Sequence, residues 1–102
     1  MKYITKYKSP NYNSRSKSKI KLIIIHYTAL RNTKEAITYL CTKEKKVSAH
    51  YLISQNGLIY NLVNEKFRAW HAGQSFWQDV VDINSFSIGI ELDYNPNGKN
   101  NK

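Results

Sequence analysis

One run of eight residues, Ile20-Lys21-Leu22-Ile23-Ile24-Ile25-His26-Tyr27, constrains this chain more than any other. β-Branched side chains lose rotamer freedom in a helix and pack well on a pleated surface, so the run reads as a strand. Its apolar residues follow one another without alternation, which predicts a strand covered on both faces. Its longest apolar stretch, Leu22 to Ile25, is far shorter than the roughly 20 residues a membrane-spanning helix needs. The polar pair His26 and Tyr27 ends the run. In open α/β sheets, ligands bind at the C-terminal ends of strands.

The remaining pattern supplies partners for that strand. Asn32-Thr33-Lys34-Glu35 reads as a capping box, with Asn32 as N-cap and Glu35 three residues on. Ala36, Ile37, Leu40 and Cys41 then form an apolar helical stripe, closed by Lys43, Lys45 and Lys46 where cations suit the helix dipole. Val47 to Ser54 and Leu58 to Val63 read as strands joined through Gln55-Asn56-Gly57. Asn-Gly tolerates positive φ at both turn positions, which predicts a tight hairpin. Residues 64–73 read as a loop or short edge strand, and Phe76 to Ile83 as a short helical turn. Ser85 to Leu92 alternates as a further strand, with Gly89 allowing close backbone approach. Asn95-Pro96-Asn97-Gly98 is a turn signal.

A chain of 102 residues, 41% apolar, suffices for one small domain. Net charge is +9, and residues 1–21 hold seven of the sixteen basic residues and no acid. Residues 1–19 read as a basic, extended, partly disordered arm, residues 20–94 as the domain and residues 95–102 as a polar tail. Such an arm suits nucleic acid, an anionic membrane or an acidic wall polymer. Blocks of like charge are more often solvated, however, and charge alone supports nucleic acid. With one cysteine, Cys41, no intramolecular disulfide forms. No apolar signal segment follows the basic N-terminus, so the expected location is the cytoplasm, with no membrane partner.

The chemistry-bearing residues are scattered. His26, His50 and His71 are far apart in sequence, and no HExxH, HxH or CxxC spacing specifies a metal site. Glu91 ends an otherwise apolar strand. If buried it is a candidate general base; if on an edge it is a solvated carboxylate. Trp70-His71-Ala72-Gly73 places an aromatic plate and an imidazole in one loop, suited to stacking on a sugar or to capping the core. No GxSxG motif supports a serine nucleophile.

Taken together, IIIHYTAL at 23–30, SAHYLISQNGLIYNLV at 48–63, RAWHAG at 68–73 and FSIGIEL at 86–92 closely resemble the type-2, AmpD-like N-acetylmuramoyl-L-alanine amidases. The resemblance covers about residues 20–94. It implies an α/β fold, a mixed central sheet with flanking helices, shared with phage amidases and peptidoglycan recognition proteins. It also implies zinc-dependent hydrolysis of the amide between N-acetylmuramic acid and L-alanine. By the same resemblance His26 is a zinc ligand, Glu91 the catalytic carboxylate, and Trp70 and His71 substrate-binding cleft residues, while His50 is structural. The family's other two zinc ligands, a His and an Asp, lie in a C-terminal segment beyond Lys102. The resemblance therefore implies a C-terminally truncated domain with an incomplete zinc set and a sheet face left bare. A muropeptide or peptidoglycan fragment is the implied partner. A second polypeptide supplying the missing segment, a non-catalytic muropeptide-binding module, and a remnant without a role are the alternatives.

Overall fold

Backbone pairing joins strands that lie between Tyr3 and Leu92. The computed structural model describes residues 3–15, 19–73 and 82–96. Its elements are β1 (Tyr3–Ile4), β2 (Tyr12–Ser14), β3 (Leu22–Tyr27), α1 (Thr33–Cys41), β4 (Tyr51–Ile53), β5 (Ile59–Asn61), β6 (Phe67–Ala69) and β7 (Ser87–Leu92). Five strands form a mixed sheet in the order β1-β5-β4-β7-β3, and β2 pairs with β6 in a separate antiparallel ribbon. Within the sheet, β3–β7, β7–β4 and β5–β1 are parallel and β4–β5 is antiparallel.

The helix starts where its cap dictates. Asn32 Oδ1 accepts the Glu35 N–H at 2.8 Å. Glu35 turns back to the Arg31 guanidinium and N–H rather than to the N-cap residue's own N–H. Ala36 and Leu40 are buried against Leu52 and Leu62, with Ile37, Cys41 and Tyr60 packed around them. This cluster is the core beneath one face of the sheet. The lysines expected to close the helix lie beyond it, in a 3-10 turn over Lys43–Lys45, because the helix ends at Cys41.

The β4–β5 hairpin forms as expected, with a different turn. Within the turn only Gly57 has positive φ, at 86°. Its N–H donates to Ser54 O, and the Ser54 hydroxyl accepts the Leu58 N–H. A single left-handed glycine after the turn replaces the two positive-φ residues predicted from Asn-Gly.

β3 departs from its prediction. It is an edge strand, and Ile23, Ile25 and Tyr27 are 67%, 62% and 56% exposed, while Leu22, Ile24 and His26 are half-buried. Among the described residues α1 covers one face only. The opposite face presents Ile23, Ile88, Ile90, Ile53 and Ile59 around a shallow hollow of about 270 Å³. Of the segment predicted as a helical turn at 76–83, residues 76–81 lie outside the described residues, as do Asn97 and Gly98 of the predicted turn. A 3-10 helix covers Ile83–Phe86.

The basic arm is anchored over residues 3–15. Ser9 Oγ donates to Leu40 O at 2.6 Å, and Asn11 Nδ2 donates to Thr42 O and Val47 O at 2.9 Å. Short polar side chains there satisfy the carbonyls at the end of α1, which the helix itself leaves unpaired.

Candidate active site

His26 and Glu91 meet because β3 and β7 run parallel with His26 opposite Glu91. Their C-terminal ends form one lip of the sheet. Glu91 is 8% exposed and has no hydrogen-bond or ion-pair partner among the described residues. Burial alone pushes its carboxyl up to about 7. A carboxyl in that range takes and returns protons at neutral pH, which is what a general base needs. Burial also holds the His26 imidazole below its ordinary value, which favours the neutral ring.

His71 reaches the same lip from the segment after β6. Ser48 Oγ accepts the Trp70 N–H, and Asn84 Oδ1 accepts the N–H groups of His71 and Ala72 at 3.1 and 2.8 Å. The His71 ring lies flat against Gly89: a Cβ at that position would stand 2.3 Å from His71 Cδ2 and Cγ. The close approach expected at Gly89 is therefore made by a side chain eighteen residues earlier. His71 is 8% exposed, and its two ring nitrogens stand 3.0 Å from His26 Nε2 and 2.9 Å from Ser87 Oγ. Burial first, then the neighbouring His26 and His50, hold its pKa down to about 3.

Trp70 and His71 both line a cavity of about 550 Å³, which Lys46, Arg68 and Asp82 also line and which includes neither His26 nor Glu91. Trp70 Nε1–H donates to Asn13 Oδ1 at 2.9 Å. The structure thus gathers His26, His71 and Glu91, and places Trp70 on the flank of that group.

His50 is fully buried. Its Nδ1 accepts the Gly89 N–H at 3.1 Å, and Nε2 lies 2.8 Å from Phe67 O. Both ring nitrogens thus face backbone groups, and Arg15 Nη2 also lies 3.1 Å from Nε2. In sequence Arg15 is one charge among those of the basic arm. Its guanidinium instead donates to the carbonyls of Glu65, Phe67, Asn84, Ser85 and Ser87. It ties both ends of the 70–82 connection to the sheet. Arg15 is the one arginine among the seven basic residues of 1–21, and five donors in a rigid fork suit converging carbonyls better than an ammonium does.

The site fits zinc at one position. A neutral, half-buried imidazole at a strand end is a suitable donor, and His26 is such a group. Among the described residues no three His, Cys, Asp or Glu side chains group closely enough to hold a metal ion.

The fold is a mixed α/β sheet that sets a buried carboxyl, raised to about 7, beside two imidazoles at the ends of parallel strands. The family model described as N-acetylmuramoyl-L-alanine amidase (Amidase_2) matches residues 16–101, so the chain belongs to that family. It is 42% identical over 82 residues to the N-acetylmuramoyl-L-alanine amidase AmiD of Escherichia coli, a match covering 74% of this chain and 29% of AmiD. It is 52% identical over 50 residues to the 1,6-anhydro-N-acetylmuramyl-L-alanine amidase AmpD of Haemophilus influenzae, covering 49% of this chain and 27% of AmpD. The chain thus spans under a third of these relatives' length. Among solved structures, a selenomethionine AmpD derivative superposes with a TM-score of 0.80 at 28% identity, over 90% of this chain and 61% of that one. E. coli AmiD in complex with the substrate anhydro-N-acetylmuramic acid-L-Ala-D-γ-Glu-L-Lys superposes with a TM-score of 0.67 at 36% identity, over 88% of this chain and 35% of that one.

Proposed function

We propose that this chain acts in hydrolysis of the amide joining N-acetylmuramic acid to the L-alanine of peptidoglycan stem peptides, in wall turnover or recycling in the cytoplasm. The observation that carries the reading is Glu91: a buried carboxyl raised to about 7, directly across the β3–β7 pair from His26. Glu91 takes a proton from water as the water oxygen bonds to the scissile carbonyl carbon. It returns that proton to the alanine nitrogen as the C–N bond breaks, leaving a muramic carboxylic acid and a free peptide amine. His26 serves as one zinc ligand, and the further donors come from outside the described residues, a second polypeptide being one source. When bound, zinc supplies Lewis-acid polarisation of the carbonyl and a more acidic water. Trp70 offers a face for the sugar or peptide at the flank, and His71 sits at the floor beside it. Among the described residues no helix is long and apolar enough to cross a membrane.

The test is product analysis on anhydro-N-acetylmuramic acid-L-Ala-D-γ-Glu-L-Lys with added zinc. Cleavage at the muramoyl–alanine bond, reduced at least about 100-fold by Glu91→Gln, is expected. Cleavage at another bond, or equal turnover by the variant, sinks the reading. A second reading, a non-catalytic muropeptide-binding module, is favoured by the lack of a three-donor group among the described residues. Calorimetric binding of the same compound without product would select it.

A further inference from the structure

His71 lies in a line of hydrogen bonds whose direction is fixed at one end. Ser87 Oγ is 2.8 Å from Ile83 O, a carbonyl that can only accept, so the serine proton goes there. Ser87 Oγ must then accept at 2.9 Å from His71, which puts a proton on His71 Nε2. His71 is buried, and at a pH above the ordinary imidazole value an imidazole that carries its proton on Nε2 leaves Nδ1 a bare lone pair. That lone pair faces His26 Nε2 at 3.0 Å, and the contact is a hydrogen bond only if His26 Nε2 carries the proton. In a neutral His26 the remaining nitrogen, Nδ1, is left unprotonated, and it has no hydrogen-bond partner among the described residues. Two packing features hold the line in place. The absence of a side chain at Gly89 leaves room for the His71 ring, which a Cβ there would meet at 2.3 Å. Arg15 donates to Ser87 O at 3.0 Å and to Asn84 O at 3.3 Å, and Asn84 in turn accepts the His71 N–H.

We infer that His71 is a positioning residue: through the Ile83–Ser87–His71–His26 line it holds His26 as the Nε2–H tautomer, so that Nδ1 is the nitrogen presented to a metal ion. An imidazole ligand generally has its second nitrogen tied by a hydrogen bond that fixes ring orientation and tautomer. Here the tie is another histidine, itself locked by a serine. The inference assigns His71 a role through His26 rather than on substrate, since both of its ring nitrogens are already engaged. It rests on the proposed zinc ligation only for its purpose, because the tautomer itself exists in the metal-free chain.

The test reads that tautomer directly. In the metal-free 102-residue chain with ¹⁵N-labelled histidine at pH 8, two-bond ¹H–¹⁵N correlations report which ring nitrogen carries the proton. A single Nε2–H form is expected for both His26 and His71. A proton on His26 Nδ1, or an averaged mixture, overturns the inference whether or not the chain hydrolyses anything. His71→Leu removes the acceptor and is expected to release His26 into a mixture and to weaken zinc binding about 10- to 100-fold. His71→Asn, whose amide oxygen can stand where Nδ1 stood, is expected to restore both. A His26 tautomer unmoved by His71→Leu also overturns it. Should that variant fail to fold, the wild-type spectrum decides alone.

Discussion

Glu91→Gln should make the metal-free chain more stable, and by an amount that depends on pH. In the folded chain burial raises the Glu91 carboxyl from 4.5 to about 7. Between those values the folded state holds a proton that the unfolded state has released. Stability from this group is therefore present below pH 4.5 and lost as pH rises towards 7. The span, at about 1.4 kcal/mol per pH unit, comes to about 3 kcal/mol. Glutamine resembles the protonated carboxyl and carries no such loss. His71, held down to about 3, works with the opposite sign: its folded form binds fewer protons, so stability rises with pH between about 3 and 6.5. In the wild type the two slopes oppose each other, but the difference between variant and wild type isolates Glu91. Urea unfolding followed by tryptophan fluorescence in chelator-treated buffer reads it. At a slope of about 1–2 kcal/mol/M, the variant's midpoint should gain about 1.5–3 M on the wild type between pH 4.5 and 8, then level off. A gap that stays constant or narrows across that window refutes a buried, partnerless carboxyl at this position.

Gly89→Ala should cost about 1–3 kcal/mol, because the new Cβ meets a buried ring with nowhere to go, and it should disturb the His26 ring signals at the same time; an unchanged melting curve would mean the ring is elsewhere. Arg15→Ala should cost about 3 kcal/mol or more by unpairing several carbonyls at once, with Arg15→Lys recovering only part of it, both read by urea unfolding. Ile25→Lys, on the bare face of the edge strand, should change folding stability by under about 0.5 kcal/mol while lowering self-association in light scattering. Self-association unaffected by that charge would place the sticky surface elsewhere.

Much of this arrangement is legible along the sequence because its signals are local. The Asn32 cap, the Ala36–Leu40 stripe and the Gln55-Asn56-Gly57 hairpin each depend on residues within one or two turns of chain. β3 is legible as a strand, but an unbroken apolar run does not say which face finds a cover, and among the described residues only one does. His26 and Glu91 are recognisable as strand-end residues, and register then sets them opposite each other. What the sequence hides is contact at long separation. The partner that requires Gly89 to be glycine is the His71 ring, and nothing near Gly89 announces it. Arg15 is concealed for the same reason: its acceptors are carbonyls of residues 65 to 87, and in sequence it is one charge in a basic arm.

The most direct test of the account is zinc content and turnover measured together on the wild-type chain, Glu91→Gln and His26→Ala, with anhydro-N-acetylmuramic acid-L-Ala-D-γ-Glu-L-Lys as substrate. With the remaining zinc donors supplied, the account predicts zinc and muramoyl–alanine cleavage for the wild type, unchanged zinc with turnover down about 10²- to 10⁴-fold for Glu91→Gln, and loss of both for His26→Ala. Turnover that survives Glu91→Gln, or zinc retained in full by His26→Ala, would contradict it.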